Sequence, residues 1–299
     1  MKKYRVAFKF AVALVLAVAV ASGWTNSLSA QEPDWKPLYE GVDVVSYSVA
    51  EPLMKIVAAR IDLQAPGVEF KTTESNPNFK KEERETVRRT VAEFLNDRSL
   101  SLAVNANFYT PFNASTIVKE GDSNLTGLAV SDGFVLSEPA DTFPSFVVKN
   151  DGSVEIKQYS PGDDLSDVKV AVSGNQIVLK DGEILALADK AVHPRTAVGI
   201  SRDSRYVYLA TIDGRQPKFS VGATYEQVAS ALKYLGAWQG LNLDGGGSTT
   251  FVVRGADDKP VLLNRPCNPT LDRMRHNGNG LGVIANGAPQ TDPTEFRLK

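Results

Sequence analysis

Apolar and polar residues alternate along most of the chain, and this two-residue period is typical of half-buried β-strands. Residues 42–47 and 55–63 show the pattern on either side of Glu51-Pro52, which predicts two paired strands with the proline in their connection. Residues 68–71 continue the pattern. The first part of the chain, after a polar lead-in, is therefore predicted to be β-structure.

A β-meander is predicted over residues 125–159. Asp132-Gly133 and Asn150-Asp151-Gly152 separate alternating runs there, and Asp-Gly pairs favour tight hairpin turns. Residues 168–187 predict two more strands, with Ser173-Gly174-Asn175 as the turn between them. The middle of the chain is thus also predicted to be β-structure.

The best-marked helix lies in the second half of the chain. Residues 196–200 and 206–212 predict a strand pair, and Thr224-Tyr225-Glu226-Gln227 then shows capping-box spacing before apolar residues on one helical face. Gly236 is placed to end that helix. Residues 238–243 predict the strand that follows.

An earlier helix is predicted from the same kind of pattern. The apolar residues from Val87 to Leu95 recur at helical spacing, and the pattern ends near Asn96-Asp97. Residues 100–104 then predict a strand.

Helix, strand and polar loop therefore occur twice. The first strand leads into Asn105 and Asn107 and the second into Asn242 and Asp244, and a spacing of two puts each pair on one face of its strand. We expect the two strand ends to meet at the functional site. The predicted fold is a single compact α+β domain whose mixed, twisted β-sheet core is covered by two main helices.

The N-terminus has the layout of a secretory signal peptide. A basic start that includes Lys2 and Arg5 precedes an apolar run over residues 10–21, which is shorter than the roughly 20 residues of a membrane span. We expect export to the periplasm or the extracellular space without stable membrane insertion; an uncleaved anchor is the alternative. The predicted segments are the signal peptide (1–30), N-terminal strands and helix (31–99), a main region (100–285) and a frayed tail (286–299).

Charge and cysteine content exclude some functions. The chain has 33 Lys and Arg, of which four lie in residues 1–30, so 29 face 35 Asp and Glu and the net charge of residues 31–299 is near −6. A general binder of nucleic acid or anionic membranes has a basic surface instead. Cys267 is the only cysteine, so no intrachain disulfide can form and packing must stabilise the fold.

Three glycines follow the strand predicted over residues 238–243, in the segment Asn242-Leu243-Asp244-Gly245-Gly246-Gly247-Ser248. Consecutive N–H groups in such a loop can hold an anion, and the serine hydroxyl adds a donor. The alternative is a hairpin turn in which the glycines supply only backbone freedom.

Several motifs follow one another in a fixed order along the chain. They are Asn105-Ala106-Asn107-Phe108-Tyr109, His193–Gly199, Asp213-Gly214-Arg215, Gly222-Ala223-Thr224 with Glu226, Asn242–Thr250 and, more weakly, Arg275 with Asn279–Val283. Their order resembles that of the phosphodiester glycosidase family over about residues 100–285, with Ala106 and Asn107 where the family has glycines. The resemblance implies hydrolysis of an α-N-acetylglucosamine-1-phosphodiester or of a related envelope or exopolysaccharide glycan.

Roles follow from the chemistry of such a substrate. The leaving group is a phosphate monoester with a second pKa of about 6, so it departs as an anion and has little need of a proton donor. The site needs cations and N–H groups for the phosphate, and a carboxylate as base or nucleophile. Asp244 beside the glycines is the first candidate for that carboxylate, followed by Glu226 and Asp213. The predicted substrate-binding residues are Asn105, Asn107, Arg195, Gly245, Gly246, Gly247, Ser248 and Arg275, with Arg195 expected to bind phosphate in a bidentate manner.

Some of these residues also have structural interpretations. Arg195 can serve in a salt bridge, and Asp213 can belong to a simple hairpin turn. Glu226 lies in the first turn of a predicted helix, where a carboxylate stabilises the helix dipole. Asn105 and Asn107 can cap turns.

Two other functions remain open: a phosphodiesterase that breaks the P–O bond, and a non-catalytic binder of sugar phosphates or glycans. No cofactor is expected. Two His and one Cys without ligand spacing argue against a zinc site, whereas oxygen ligation of Ca²⁺ or Mg²⁺ through Asp213 or Asp244 stays open.

Overall fold

Short turns join many of the neighbouring strands, as the alternating sequence predicts. The computed structural model describes residues 32–113, 115, 117–268 and 274–299, so the predicted signal peptide lies outside the described residues. Residues 33–299 group into one compact unit. No helix in the described ranges combines the length and the apolar character that crossing a bilayer requires.

The elements match most of the predicted positions. The helices are Val91–Asp97 (α1) and Tyr225–Leu235 (α2), with 3₁₀ turns at Gly246–Ser248 and Pro293–Phe296. In chain order the strands are Lys36–Tyr39 (β1), Val42–Val49 (β2), Met54–Asp62 (β3), Glu69–Thr72 (β4), Thr86–Val87 (β5), Leu102–Asn105 (β6), Tyr109–Thr110 (β7), Asp122–Leu125 (β8), Ala129–Ser131 (β9), Phe134–Ser137 (β10), Ser145–Lys149 (β11) and Val154–Lys157 (β12). They continue with Val168–Ser173 (β13), Gln176–Lys180 (β14), Glu183–Ile184 (β15), Arg195–Ser201 (β16), Tyr206–Ile212 (β17), Ala237–Asn242 (β18), Phe251–Arg254 (β19), Pro260–Leu262 (β20) and Gly280–Ile284 (β21).

Three larger sheets share the main core. An eight-stranded sheet has the order β1-β2-β3-β17-β16-β18-β14-β15, and two five-stranded sheets have the orders β20-β19-β6-β21-β4 and β10-β9-β13-β11-β12. A small sheet holds β5-β8-β7. One buried cluster takes side chains from all three larger sheets, including Val198, Leu241, Val104, Phe251 and Phe146.

The expected mixed sheet is wrong, because every described strand pairing is antiparallel. Helix α2 does connect two strands that run in the same direction, β17 and β18. However, β16 lies between them and pairs antiparallel with both. A crossover helix therefore does not produce a parallel pair here.

The two helices were expected to cover one sheet, but each packs on a different sheet. Helix α2 packs on β14, β16, β17 and β18 of the eight-stranded sheet, whereas α1 packs on β6, β19, β20 and β21. Each helix thus stabilises the sheet whose strand it precedes.

Helix α2 confirms its predicted boundaries, and α1 corrects one. Thr224 and Gln227 form the capping box of α2, and Gly236 ends it with φ of 109°, a value in the region that favours glycine. In α1 the N-cap is Thr90, which forms a capping box with Glu93. Val87 belongs to strand β5 instead.

Two further expectations are wrong. The Ser173-Gly174-Asn175 segment does not make a hairpin, because it carries the chain from β13 in one sheet to β14 in another. Residues 286–299 are not frayed: Phe296 is buried in the main core, and the Gln290 N–H donates to the Leu38 carbonyl at 2.8 Å.

Candidate active site

The ends of β6 and β18 meet, as the repeated helix–strand–loop pattern predicts. The Asp244 N–H donates to the Ala106 carbonyl at 2.9 Å, and Nδ2 of Asn105 donates to the Asp244 carbonyl at 2.6 Å. The Leu243 N–H donates to the Thr196 carbonyl at 2.8 Å. The bonds from Asn105 and Ala106 join the end of β6 in the five-stranded sheet to the end of β18 in the eight-stranded sheet, and the Leu243 bond fixes this segment against β16.

A pocket of about 490 Å³ opens at this junction. One part of its lining is aromatic, from Phe108, Tyr109, Phe112 and Tyr225. The polar part consists of Asn175, His193, Arg195, Arg215, Asn242, Asp244 and Arg275, together with Gly245, Gly246 and Gly247. Among the described lining residues, three are arginines and Asp244 is the one carboxylate.

Asp244 has a carboxyl group adapted to act near neutral pH. Burial raises its pKa to about 6, against the opposing effects of the Ser248 hydroxyl, the Arg275 charge and the Gly245 N–H. That N–H lies 2.8 Å from Oδ1 of Asp244. Such a carboxylate is ionised at pH 7 yet remains basic enough to accept a proton.

Glycine is required at the three positions of the loop for different structural reasons. A Cβ on Gly245 would lie 2.5 Å from the Pro194 carbonyl oxygen, Gly246 has φ of 63°, and a Cβ on Gly247 would collide with Nη2 of Arg275. The loop therefore needs glycine for close approach of neighbouring groups as well as for backbone freedom.

The predicted cradle of three N–H groups is wrong in part. The Gly245 N–H bonds to Asp244, and the Gly246 N–H donates to the Pro194 carbonyl at 2.8 Å. Among the described residues the Gly247 N–H has no acceptor, so it is the one that remains for an anion. Ser248 is buried and hydrogen-bonded to Asp244, so it supports the carboxylate rather than lining the pocket.

Two guanidinium groups supply the positive charge around this loop. Nη1 of Arg275 lies 3.4 Å from Oγ of Ser248, and the Arg275 guanidinium stacks on Phe112 with 4.8 Å to the ring centroid. Arg215 comes within 3.2 Å of a Cβ built on Gly246, and its Nη2 lies 3.2 Å from Nδ1 of His193. Sequence reasoning selected Arg275 but not Arg215, although Asp213-Gly214-Arg215 was among the motifs of the resemblance.

Arg195 lines the pocket, and two of its five N–H groups anchor it to the protein. Its Nε donates to the Ala223 carbonyl at 3.0 Å, and its Nη2 donates to the Ala191 carbonyl at 2.8 Å. The guanidinium stacks on Tyr225, 4.2 Å from the ring centroid. Both N–H groups of Nη1 and the second N–H of Nη2 remain without a described acceptor, so the bidentate phosphate contact predicted for Arg195 stays a prediction.

Asn105 and Asn107 brace the pocket wall and do not line it. Oδ1 of Asn105 accepts from Oγ1 of Thr196 at 2.7 Å and from the Thr250 N–H at 3.2 Å. Asn107 accepts from Nδ2 of Asn279 at 2.9 Å and donates to backbone carbonyls. Both are buried, so the contact with substrate predicted for them is not supported.

The two reserve carboxylates also lie outside the pocket lining. Asp213 is buried, where it accepts from Nδ2 of Asn264 at 2.8 Å and from the Arg265 N–H at 2.9 Å. Burial raises its pKa to about 7. Glu226 stands in the first turn of α2 and pairs with Lys190, a contact that lowers its pKa. The structural interpretation of Glu226 therefore fits better than a catalytic one.

The described residues contain no group of three or more His, Cys, Asp or Glu side chains arranged to hold a metal ion. Asp213 and Asp244 lie in separate environments, each bonded to protein groups of its own.

A family model described as phosphodiester glycosidase matches residues 98–284, which is more than half of the chain. The chain belongs to the phosphodiester glycosidase family. No curated protein matches the sequence.

Solved structures share the fold at low sequence identity. The catalytic domain of zebrafish N-acetylglucosamine-1-phosphodiester α-N-acetylglucosaminidase, auto-inhibited by its pro-peptide, matches with a TM-score of 0.62, 18% identity and coverage of 86% of this chain and 89% of that one. A hypothetical protein from Synechocystis has a TM-score of 0.56 at 13% identity, covering 85% of this chain and 64% of that one. A protein of Burkholderia pseudomallei described as exported has a TM-score of 0.56 at 15% identity, covering 78% and 74%.

Proposed function

We propose that this protein is an exported hydrolase that cleaves the glycosyl–phosphate C–O bond of a sugar phosphodiester. The observation that carries the proposal is the pocket in which Asp244, with a pKa of about 6, faces the guanidinium groups of Arg215 and Arg275. The zebrafish structure of similar fold is that of an N-acetylglucosamine-1-phosphodiester α-N-acetylglucosaminidase. Its substrate class, or a related envelope or exopolysaccharide glycan, is what we propose for this chain.

The phosphate leaves toward the arginines. Cleavage of the C–O bond produces a phosphate monoester with a second pKa of about 6, which is a stable anion at neutral pH. Arg215, Arg275 and the Gly247 N–H stabilise the charge that develops on it. A second carboxyl group that donates a proton, as ordinary glycosidases require, is absent among the described lining residues, and the leaving group does not need one.

Asp244 either attacks the sugar carbon as the nucleophile, or takes a proton from a water molecule whose oxygen attacks that carbon while the phosphate monoester departs with the electrons of the broken C–O bond. Its carbonyl is held by Asn105 and its N–H by Ala106, so the carboxylate has a defined position. Phe108 and Tyr109 line the aromatic part of the pocket, and aromatic side chains suit the apolar faces of a sugar ring.

The bond that breaks can be tested by isotope labelling. The purified protein is incubated with a sugar-1-phosphodiester in ¹⁸O-water, and the products are analysed by mass spectrometry immediately after quenching. We expect the label in the sugar and unlabelled phosphate monoester. Label in the phosphate product would overturn the assignment in favour of P–O cleavage, and saturable binding without product would favour a non-catalytic binder.

A further inference from the structure

A second group of cations lies outside the pocket, around the ring of Phe219. Nζ of Lys55 lies 5.6 Å from the ring centroid and the Arg265 guanidinium 5.0 Å from it. Phe219 itself is buried, whereas Arg265 is exposed and Lys55 is half-buried. An anion bound beside this ring would be attracted by both cations.

No described carboxylate forms a salt bridge with Lys55 or Arg265, although Asp213 and Arg265 interact electrostatically. Many described lysines and arginines lie within 4.0 Å of an Asp or Glu oxygen, and Lys55, Arg215, Lys218, Arg265 and Arg275 are among those that do not. Asp213 is buried and accepts a hydrogen bond from the backbone N–H of Arg265, not from its guanidinium group. Residues 31–299 together carry a net negative charge, so a local positive surface of this kind would attract anions selectively.

The Phe219 cations are structurally continuous with the pocket. Arg215 and Phe219 belong to one hairpin, in which the Arg215 N–H donates to the Val221 carbonyl and the Gln216 N–H to the Ser220 carbonyl. Nε2 of Gln216 donates to the Arg265 carbonyl at 2.8 Å. Nδ2 of Asn268, three residues after Arg265, reaches the Gly247 carbonyl at 3.2 Å. The hairpin therefore joins the phosphate side of the pocket to the second group of cations.

We propose that Lys55 and Arg265 form a second anion subsite, which binds a further phosphate of a polymeric substrate whose first phosphodiester occupies the pocket. The inference rests on the proposed function and adds to it the substrate class, a glycan with repeated phosphates. We favour a polymer over an anionic bilayer for two reasons. The cations extend from the pocket along a single hairpin, and the domain as a whole carries a net negative charge, which an anionic membrane would repel.

Binding of inorganic anions tests the subsite without any need for turnover. Short-chain inorganic polyphosphate and orthophosphate are titrated against the wild-type protein, the double variant Lys55→Gln/Arg265→Gln, and Lys180→Gln as the control for loss of an exposed lysine. We expect the double variant to lose about tenfold in polyphosphate affinity and to lower the slope of log affinity against log salt by about one to two. Orthophosphate affinity should stay unchanged.

Equal polyphosphate affinity in the double variant and the Lys180→Gln control would overturn the subsite. Binding to phosphatidylglycerol vesicles that requires both residues, without polyphosphate binding, would overturn the polymer in favour of a membrane surface. Turnover separates this inference from the proposed function. If a small sugar-1-phosphodiester is hydrolysed and the double variant binds polyphosphate normally, only the subsite fails; if the variant loses polyphosphate and no diester is cleaved, only the glycosidase proposal fails.

Discussion

Nδ1 of His193 lies 3.2 Å from Nη2 of Arg215 in the pocket wall, and this contact determines the protonation of the imidazole. A guanidinium group only donates hydrogen bonds, so Nδ1 must accept, and the proton of the neutral ring is on Nε2. Burial, followed by the charges of Arg195 and Arg215, lowers the pKa of His193 from its usual 6.5. The hydrogen bond between His193 and Arg215 therefore persists as the pH falls to 6.5, and it is lost only below that pH.

We predict that His193→Phe raises KM for a phosphodiester about tenfold, because a hydrogen bond to a charged group contributes about 1.5–3 kcal/mol. His193→Asn offers Oδ1 in place of Nδ1 and should keep most of the affinity. Steady-state kinetics across pH would measure both, and the acid limb that His193 causes should be missing from the Asn variant. Equal KM values in the two variants would contradict a positioning role for His193.

Asp244→Asn should reduce kcat by about 10³-fold or more, since the pocket then lacks its carboxylate. The fold should survive, because the backbone contacts of Asp244 to Asn105 and Ala106 do not use its side chain. Circular dichroism would check the fold beside the kinetics. The matched control is Glu226→Gln, which removes a partly exposed carboxylate of α2 that lies outside the pocket lining and should leave turnover unchanged. Hydrolysis at the wild-type rate by Asp244→Asn would remove Asp244 from the mechanism.

Asp213 should make the protein less stable as the pH rises. Its pKa is raised to about 7 in the folded state from 3.8, so the favourable effect of its neutral form is fully present below pH 3.8 and is lost as the pH rises through 7. From these values the loss between pH 5 and pH 8 is on the order of 2 kcal/mol.

Urea unfolding at pH 5 and pH 8 would measure this dependence. Asp213→Asn mimics the protonated acid and cannot ionise, so its free energy of unfolding should fall less over the same range. Identical pH dependence in the wild type and the variant would show that Asp213 does not titrate in this range.

Two glycine substitutions should separate activity from stability. In Gly247→Ala the new methyl group meets the guanidinium of Arg275, which is the far end of a flexible side chain. We expect Arg275 to shift, with a rise in KM and little change in Tm.

In Gly245→Ala the methyl group would lie 2.5 Å from the Pro194 carbonyl oxygen, which cannot move without the backbone. Overpacking of this kind costs about 1–3 kcal/mol, so thermal unfolding should detect a lower Tm. If the two variants behave alike, the different causes assigned to these glycines are wrong.

Local signals predicted local structure well. The capping box of Thr224 and Gln227 and the stop at Gly236 lie within thirteen residues, and the structure confirms all three. The start of α1 was misplaced because Val87 continues the apolar period by chance, while the capping box of Thr90 and Glu93 marks the true start. Periodicity without its cap is therefore a weak guide to a boundary.

The composition of the pocket was harder to predict. Asp244 and the glycines are contiguous in sequence, so their chemistry was visible there. Arg215, His193 and Tyr225 come from separate segments that converge only in the folded chain, and no spacing rule connects them. Asn105 was predicted to bind substrate and Asp213 to be a catalytic candidate, because polar residues at strand ends resemble site residues. Their hydrogen bonds with Thr196, Thr250, Asn264 and Arg265 instead use them as internal braces.

The bond between Asn105 and Asp244 spans 139 positions of the chain and joins two sheets that are completed by different parts of the sequence. Closing a loop of that length costs conformational entropy before the contact stabilises the fold, so chains dominated by such contacts fold slowly. A nascent or partly folded molecule consequently has neither the pocket nor its oriented carboxylate. If the chain leaves the cell unfolded and has the proposed activity, hydrolysis of phosphate-linked sugars would begin only at its destination, and the precursors inside the cell would be safe from it.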